Sequence, residues 1–564
     1  MSERLNERAE SHGIQVRYTS EMGEPKSIDE NAQSALLRAL RVDPEDGEIG
    51  GFAGEQHEAA HACALPDAIR GRRHWGITCQ LYALRSHRNG GIGDFEDLAQ
   101  LAEIAAKAGA AFVGVNPLHA LFLADPGRYS PYSPSTRRFI NPFYLAVDRL
   151  GGETAAEAGD PELAQALAGD LVDYRTAGAA KVRALRAVFD GLASVLEADE
   201  EFSSFRRRSG EALRSFALFE AISARMTAEN GNSGWHNWSE DYRDRHGAAV
   251  EAFEREAARE ILFHEWLQFE CNRQLGEAQR RARTAGMAIG LYLDFAVGVS
   301  PDGADTWADP ELTVRDARVG SPPDMFNSEG QDWGLAPLSP RALAERNYKP
   351  LADAYDALME HAGALRIDHA MGLARLWWIP QTGRSSGGGY VRTPLGAMVD
   401  AVARVSKDTG CLVIGEDLGT VPEGFRPVME RANILSYRVL YFERGQDGSF
   451  HRPAHYPELS LACVSTHDLA TLRGWWNGSD VRLRAETGRQ NEEATERDLR
   501  ERGRDRRTLL DALAAEHLLS PDWQRRREGE VAGRPRLGLG RAAEADAMPD
   551  GDKLGRRVAR MLAA

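Results

Sequence analysis

Seven apolar runs recur along the chain, most of them ending in polar or charged residues and separated by segments of helical periodicity, and this repeat limits the fold more than any other feature. They are "HWGITCQLYAL", "AFVGVNPL", "GMAIGLYLDFAVG", "GALRIDH", "GCLVIGEDLG", "LSYRVLYFE" and "LACVSTHDL". Strands joined by crossover helices run parallel. Charged strand ends favour a barrel with its site at the C-terminal rim over the competing open, doubly wound sheet. The expected fold class is therefore α/β, a (β/α)8 TIM-type barrel, with its eighth strand and C-terminus not recognisable. After about residue 515 no apolar run suited to that strand occurs, and an unclosed barrel would expose two sheet edges.

The 564 residues, 42% of them hydrophobic, supply a large core. A short N-terminal segment, 1–73, precedes a catalytic barrel over 74–515, which a helical subdomain at 151–285 interrupts. An atypical tail, expected to be poorly ordered, fills 516–564. In the insertion Val182, Leu185, Phe189, Leu192 and Leu196 share one helical face. Asp94 is placed to cap the helix that follows the first strand. A net charge of −16 disfavours nucleic acid or anionic membrane as a partner. No apolar run approaches a membrane span, and the N-terminus is hydrophilic, so a cytoplasmic protein is expected. Five scattered cysteines suggest neither a disulfide framework nor a zinc site.

The stretch "GALRIDHAMGLARLWW", 363–378, places Arg366 and Asp368 on one strand face, with His369 next. Glu416 and Asp417 follow "LVIG", and Asp468 follows "CVSTH". Convergent carboxylates without a cysteine or histidine cluster suit acetal chemistry, where one carboxylate and one carboxylic acid flank the bond. Arg366 is expected to keep Asp368 ionised, whereas partial burial and nearby aspartates should leave Glu416 able to donate a proton. Tyr132, Trp333, Trp377, Trp378, Trp475 and Trp476 are candidate stacking faces for sugar rings. The Gly- and Pro-rich segment 320–337 reads as a loop and candidate lid, and "RSSGGGYV", 384–391, as a flexible rim loop.

"WGITCQLYALRSHRNGGIGDFEDL", "YSPYSPSTRRFINPFYLAV", "GLYLDFAVGVSPDGADTW", "SPPDMFNSEGQDWGLAP", "LRIDHAMGLARLWWIP", "VIGEDLGTVP" and "THDLATLRGWW" closely resemble the bacterial 4-alpha-glucanotransferases, the amylomaltases or disproportionating enzymes of the alpha-amylase clan. The resemblance spans about residues 74–476. It implies a (β/α)8 barrel and a retaining double displacement that moves α-1,4-glucan segments between maltooligosaccharides, with no metal or organic cofactor. By the same resemblance Asp368 is the nucleophile, Glu416 the acid/base and Asp468 the third carboxylate. Arg366, His369 and His467 surround the reacting sugar, Asp294 is the substrate-binding carboxylate of the third strand, and Tyr132, Gln331 and Trp333 bind substrate. The chain departs from the family pattern in having only about 73 residues before "WGI" and no recognisable "PGT…NWRRK"-like ending. An inactive glucan-binding remnant and an α-glucan hydrolase of the same clan are the alternatives.

One motif points elsewhere. His57, Glu58 and His61 form an H-E-x-x-H arrangement, which on a helix would offer two imidazoles to zinc. Gly51, Gly54 and Pro66 bracket it closely, and no third ligand stands at a suitable spacing. Purified protein should therefore carry no stoichiometric zinc by metal analysis, and His57→Ala and His61→Ala should leave glucan transfer within about twofold. Zinc lost on either substitution would overturn this.

Overall fold

The computed structural model describes residues 2–20, 23–45, 58–152, 161–324, 327, 329–519 and 551–563. The chain divides into a first unit, Met1–Arg70 with Trp75–Ile434, and a second, Gly71–His74 with Leu435–Ala564.

In the first unit, helix Ser2–Ser11 leads into β1 (Ile14–Gln15) and a small antiparallel hairpin, β2 (Arg17–Thr19) with β3 (Pro25–Ser27). Asp29 then caps helix Glu30–Ala39 by accepting the Ala32 N–H at 2.7 Å. Parallel pairing begins at β4 (Gly76–Cys79) and continues through β5 (Phe112–Val115) to β6 (Gly290–Phe295). Helix Phe95–Lys107 crosses over between β4 and β5. As expected it starts at Asp94, whose carboxylate accepts the Glu96 and Asp97 amides while Asp97 reaches back to the Asp94 amide.

The insertion between β5 and β6 is helical, with long helices at Tyr174–Leu192, Glu200–Asn230 and Ala258–Thr284. Of its expected apolar face Leu185, Phe189 and Leu196 are buried, while Val182 is half-buried and Leu192 exposed. The helix ends at Leu192, so the 3.6-residue stripe does not continue to Leu196, which lies in a separate 3-10 turn.

Segment 320–337 is not simply a loop. Its ends form β7 (Ala317–Ser321) and β8 (Gln331–Leu335), an antiparallel pair with a register shift at Val319/Gly320. The glycine that suggests a loop is demanded by the pairing, since a Cβ on Gly320 would lie 2.1 Å from the Gln331 carbonyl oxygen. Downstream come β9 (Ala364–Ile367), β10 (Arg375–Pro380), β11 (Gly389–Arg392) and β12 (Leu412–Gly415). A five-stranded antiparallel sheet in the order β1-β11-β10-β7-β8 thus takes in part of "RSSGGGYV" as a strand rather than a rim loop. Trp377 and Trp378, read as stacking faces, are core residues. They lie on a strand paired on both sides, in one cluster with Leu36 and Leu37 of helix Glu30–Ala39.

Parallel pairing resumes as β6 with β9 and β9 with β12. Every residue of β5, β6, β9 and β12 is buried, as strands covered on both faces require.

In the second unit β13 (Leu435–Val439) pairs in parallel with β14 (Ser460–Cys463). Trp475 and Trp476, also read as stacking faces, join Leu440, Phe450, Leu509 and Leu513 in its core. Residues 520–550, most of the atypical tail, lie outside the described residues. Gly551–Ala563 is helical and buries Val558 and Met561 in that same core. No eighth parallel strand follows β14 among the described residues.

Gly363 immediately precedes β9 where the chain passes the residue before β6, and a Cβ there would fall 1.7 Å from the Ile289 carbonyl oxygen. Gly363→Ala must force the two strands apart, so it should destabilise by at least the ~1–3 kcal/mol of an overpacked core. Urea unfolding would measure it, and a loss under ~0.5 kcal/mol, the range of neutral surface changes, would refute it.

Candidate active site

Parallel register sets Asp294 of β6 directly beside Arg366 of β9. The Arg366 guanidinium donates to Asp294 Oδ1 at 2.7 Å and, through its other terminal nitrogen, meets Asp368 Oδ1 at 2.7 Å. Burial works against its charge, but Asp294 and then Asp368 outweigh that and hold its pKa well above the usual value. A buried cation costs several kcal/mol unless it is paired and hydrogen-bonded, and two carboxylates meet that condition here. Tyr132, half-buried, donates its hydroxyl to Asp294 Oδ2 at 3.4 Å.

The chain then turns sharply. His369 takes a left-handed conformation, φ 48° and ψ 60°, which is uncommon for a residue with a Cβ. That turn aims its backbone N–H at Glu416 Oε2, 2.9 Å away, while the Leu418 N–H donates to Oε1 at 2.8 Å. Glu416 is 8% exposed, and burial pushes its pKa up to about 7; Arg366 and the two amides oppose the rise and Asp368 adds to it. Burial likewise lowers the His369 imidazole to about 4, so its ring is neutral near pH 7. The Trp333 indole stands edge-on to that ring, 5.1 Å between centroids, and its Nε1 donates to Gln331 Oε1 at 3.3 Å.

Tyr132, Asp294, Gln331, Trp333, Arg366, Asp368, His369 and Glu416 are thus linked by direct contacts within the first unit. Asp468 and His467 belong to the second unit, in the loop after β14. There His467 Nε2 lies 3.2 Å from Asp468 Oδ2, and the Asp468 side chain is 77% exposed. Of the H-E-x-x-H motif, His57 lies outside the described residues. His61 meets Asp400 Oδ1 through both its amide, at 2.8 Å, and its Nδ1, at 3.1 Å.

Sequence reasoning missed two supports of this site. Arg137, fully buried, donates to the carbonyls of Ala296 and Val297, and His119 Nε2 accepts the Ala296 N–H at 3.2 Å. Together they fix the chain just beyond β6. His119 is signalled only as a polar residue inside an apolar stretch and Arg137 only as one of two adjacent arginines in a polar one, and neither signal separates support from chemistry.

Chemically, the cluster pairs a carboxylate held by a guanidinium with a carboxyl able to exchange its proton near neutrality, the division of labour that acetal cleavage needs. The raised Glu416 also makes folding pH-dependent. The folded chain binds this proton below about pH 7 and the unfolded chain only below about 4.5, so ionisation opposes folding as pH rises through that window. Relative to wild type, Glu416→Gln should gain up to about 3 kcal/mol of stability between those two pH values. Urea denaturation at about pH 5 and about pH 8 measures the change, and an unchanged difference would show an ordinary carboxyl.

Residues 79–529 match the protein family described as 4-alpha-glucanotransferase. The chain is 36% identical over 477 residues to a 4-alpha-glucanotransferase of Haemophilus influenzae, covering 81% of this chain and 68% of that protein. It is 40% identical over 444 residues to one of Mycobacterium tuberculosis, covering 75% of this chain and 60% of that protein. The fold is similar to the crystal structure of amylomaltase from Corynebacterium glutamicum, with TM-score 0.77 and 28% identity over 92% of this chain and 86% of that one.

Proposed function

The chain belongs to the 4-alpha-glucanotransferase family, and on that premise we propose that it transfers α-1,4-glucan segments between maltooligosaccharides by a retaining double displacement. The observation that carries this reading is the Arg366 bridge between Asp294 and Asp368, beside a Glu416 whose proton is exchangeable near pH 7.

Asp368 attacks the anomeric carbon of a bound glucan while Glu416 gives its proton to the departing O4 of the adjoining sugar. The C1–O4 bond breaks and a glycosyl ester to Asp368 forms. Glu416, now ionised, then takes the proton from the 4-hydroxyl of an incoming glucan, which displaces Asp368 and restores the α-linkage. Arg366 and Asp294 orient the nucleophile. Tyr132, Gln331, Trp333 and His369 contact the sugars, and the family resemblance alone assigns Asp468 as the third carboxylate and His467 as its companion. Transfer prevails over hydrolysis when an acceptor occupies the site and water is kept out, a role assigned to the β7–β8 hairpin.

The reading requires no cofactor and places the enzyme in the cytoplasm, with α-glucans rather than nucleic acid or membrane as partners. No helix among the described residues is long and apolar enough to cross a membrane, and all five cysteines are free thiols.

Incubation with maltotriose, with products resolved by length, should yield a ladder of shorter and longer maltooligosaccharides. Glucose release far exceeding that redistribution would make the enzyme a hydrolase. Glu416→Gln should lose roughly 10²–10⁴ in rate, Asp368→Asn should abolish the covalent route, and a trapped glycosyl adduct should map to Asp368. Near-wild-type transfer by either folded variant would overturn the assignment.

A further inference from the structure

Apart from the carboxylate cluster, the first unit contains a groove of about 1050 Å³. Gln15, Thr19 and Ser20 of the N-terminal segment form one wall, and Gly419 and Thr420 of the loop after β12 form another. None of the proposed catalytic carboxylates lines it.

Arg375 lines the groove at the start of β10. Its guanidinium lies 3.9 Å above the Tyr390 ring and donates to Gln15 Oε1 at 2.7 Å and to the Thr420 carbonyl at 3.5 Å. Both partners are neutral, and its Nε is buried with no hydrogen-bond partner. Among the described residues no carboxylate pairs with it, although a half-buried cation ordinarily requires one. Arg431, on the same groove, also lacks a carboxylate partner among the described residues, whereas Arg392 is paired with Glu10. Gly419, at φ 88°, has open space where a Cβ would stand, so a ligand could approach its backbone.

We infer that this groove is a second ligand site, built for a phosphate monoester on a hydroxyl-bearing carrier, a sugar phosphate. Arg375 and Arg431 meet the phosphoryl oxygens, for which the guanidinium fork is suited. Thr19, Ser20 and Gln15 meet sugar hydroxyls, and the exposed carboxylates of Glu58 and Glu423 at the rim accept further hydroxyls while repelling bare polyanions. The occupied groove bears on the acid/base loop, because Leu418, two residues before Thr420, holds Glu416 by its amide.

Calorimetric titration of the full chain with inorganic phosphate, glucose 1-phosphate and maltose tests the proposal without reference to glucan transfer. Phosphate and glucose 1-phosphate should both bind, the ester more tightly, and maltose should displace neither. Arg375→Gln should weaken phosphate binding about tenfold or more, the worth of a charge-assisted hydrogen bond. Thr19→Glu sets a carboxylate on the exposed opposite wall, should weaken it similarly, and decides the matter if Arg375→Gln fails to fold. Absence of saturable phosphate binding in the millimolar range, unchanged binding in folded variants, or displacement by maltose would each overturn the site.

Discussion

The ion pair of Arg366 with Asp294 and Asp368 is the constraint around which the first unit is arranged. A guanidinium 7% exposed in the middle of a parallel sheet is tolerable only while both carboxylates stay within hydrogen-bonding reach. That ties the register of β6 to β9, and hence the close passage of Gly363 by Ile289, to the position of Asp368. A slip of one residue would turn Arg366 toward the opposite face and leave three charges buried without partners. Fold and chemistry therefore share one interaction, set in a TIM-type α/β fold similar to that of the Corynebacterium glutamicum amylomaltase.

Much of this was legible because it depends on local pattern. The parallel strands announce themselves as short apolar runs, and Arg366 and Asp368 declare a common face by a spacing of two. Asp94 declares a helix start by standing just before apolar residues at helical spacing. Each of these signals lies within a few residues of its consequence. The antiparallel sheet is different. Its strands come from residues 14–15, 317–321, 331–335, 375–380 and 389–392, and no window of sequence contains the pairing. Gly320 illustrates the loss: a glycine required by a close strand contact has the same letter as a glycine in a loop. Trp377 and Trp378 mislead for a related reason, because an aromatic residue beside a charged motif suits a sugar platform as well as a core, and only helix Glu30–Ala39, more than 300 residues earlier, decides between them.

Within the cluster, the residues that carry charge were legible and those that aim it were not. Asp368, Glu416 and Arg366 stand out by type and place. The backbone amides of His369 and Leu418 have no sequence signature, since every non-proline residue has one. Only the left-handed turn at His369 directs that amide to Glu416. An isolated residue in this conformation is strained, and it persists where the surroundings over-determine it. Here the Asp368 amide is held by the Phe295 carbonyl and the Ala370 amide by the Glu416 carbonyl, so the chain is pinned on both sides of the turn.

The same pinning explains how two carboxyls in one cluster come to differ. Asp368 faces a full positive charge at 2.7 Å, whereas Glu416 is met directly by two neutral amides. Amide dipoles orient a carboxyl firmly but offset the loss of water less than a guanidinium does, and burial consequently dominates Glu416. Had Arg366 reached Glu416 as closely as it reaches Asp368, its charge would offset more of the burial that raises Glu416. The asymmetry follows from sheet geometry: Arg366 and Asp368 share one face of β9 and its immediate extension, while Glu416 follows β12 one strand away. A single cation in the strand interior, two residues before one acid and on the strand beside the other, is enough to give two carboxyls different electrostatic surroundings.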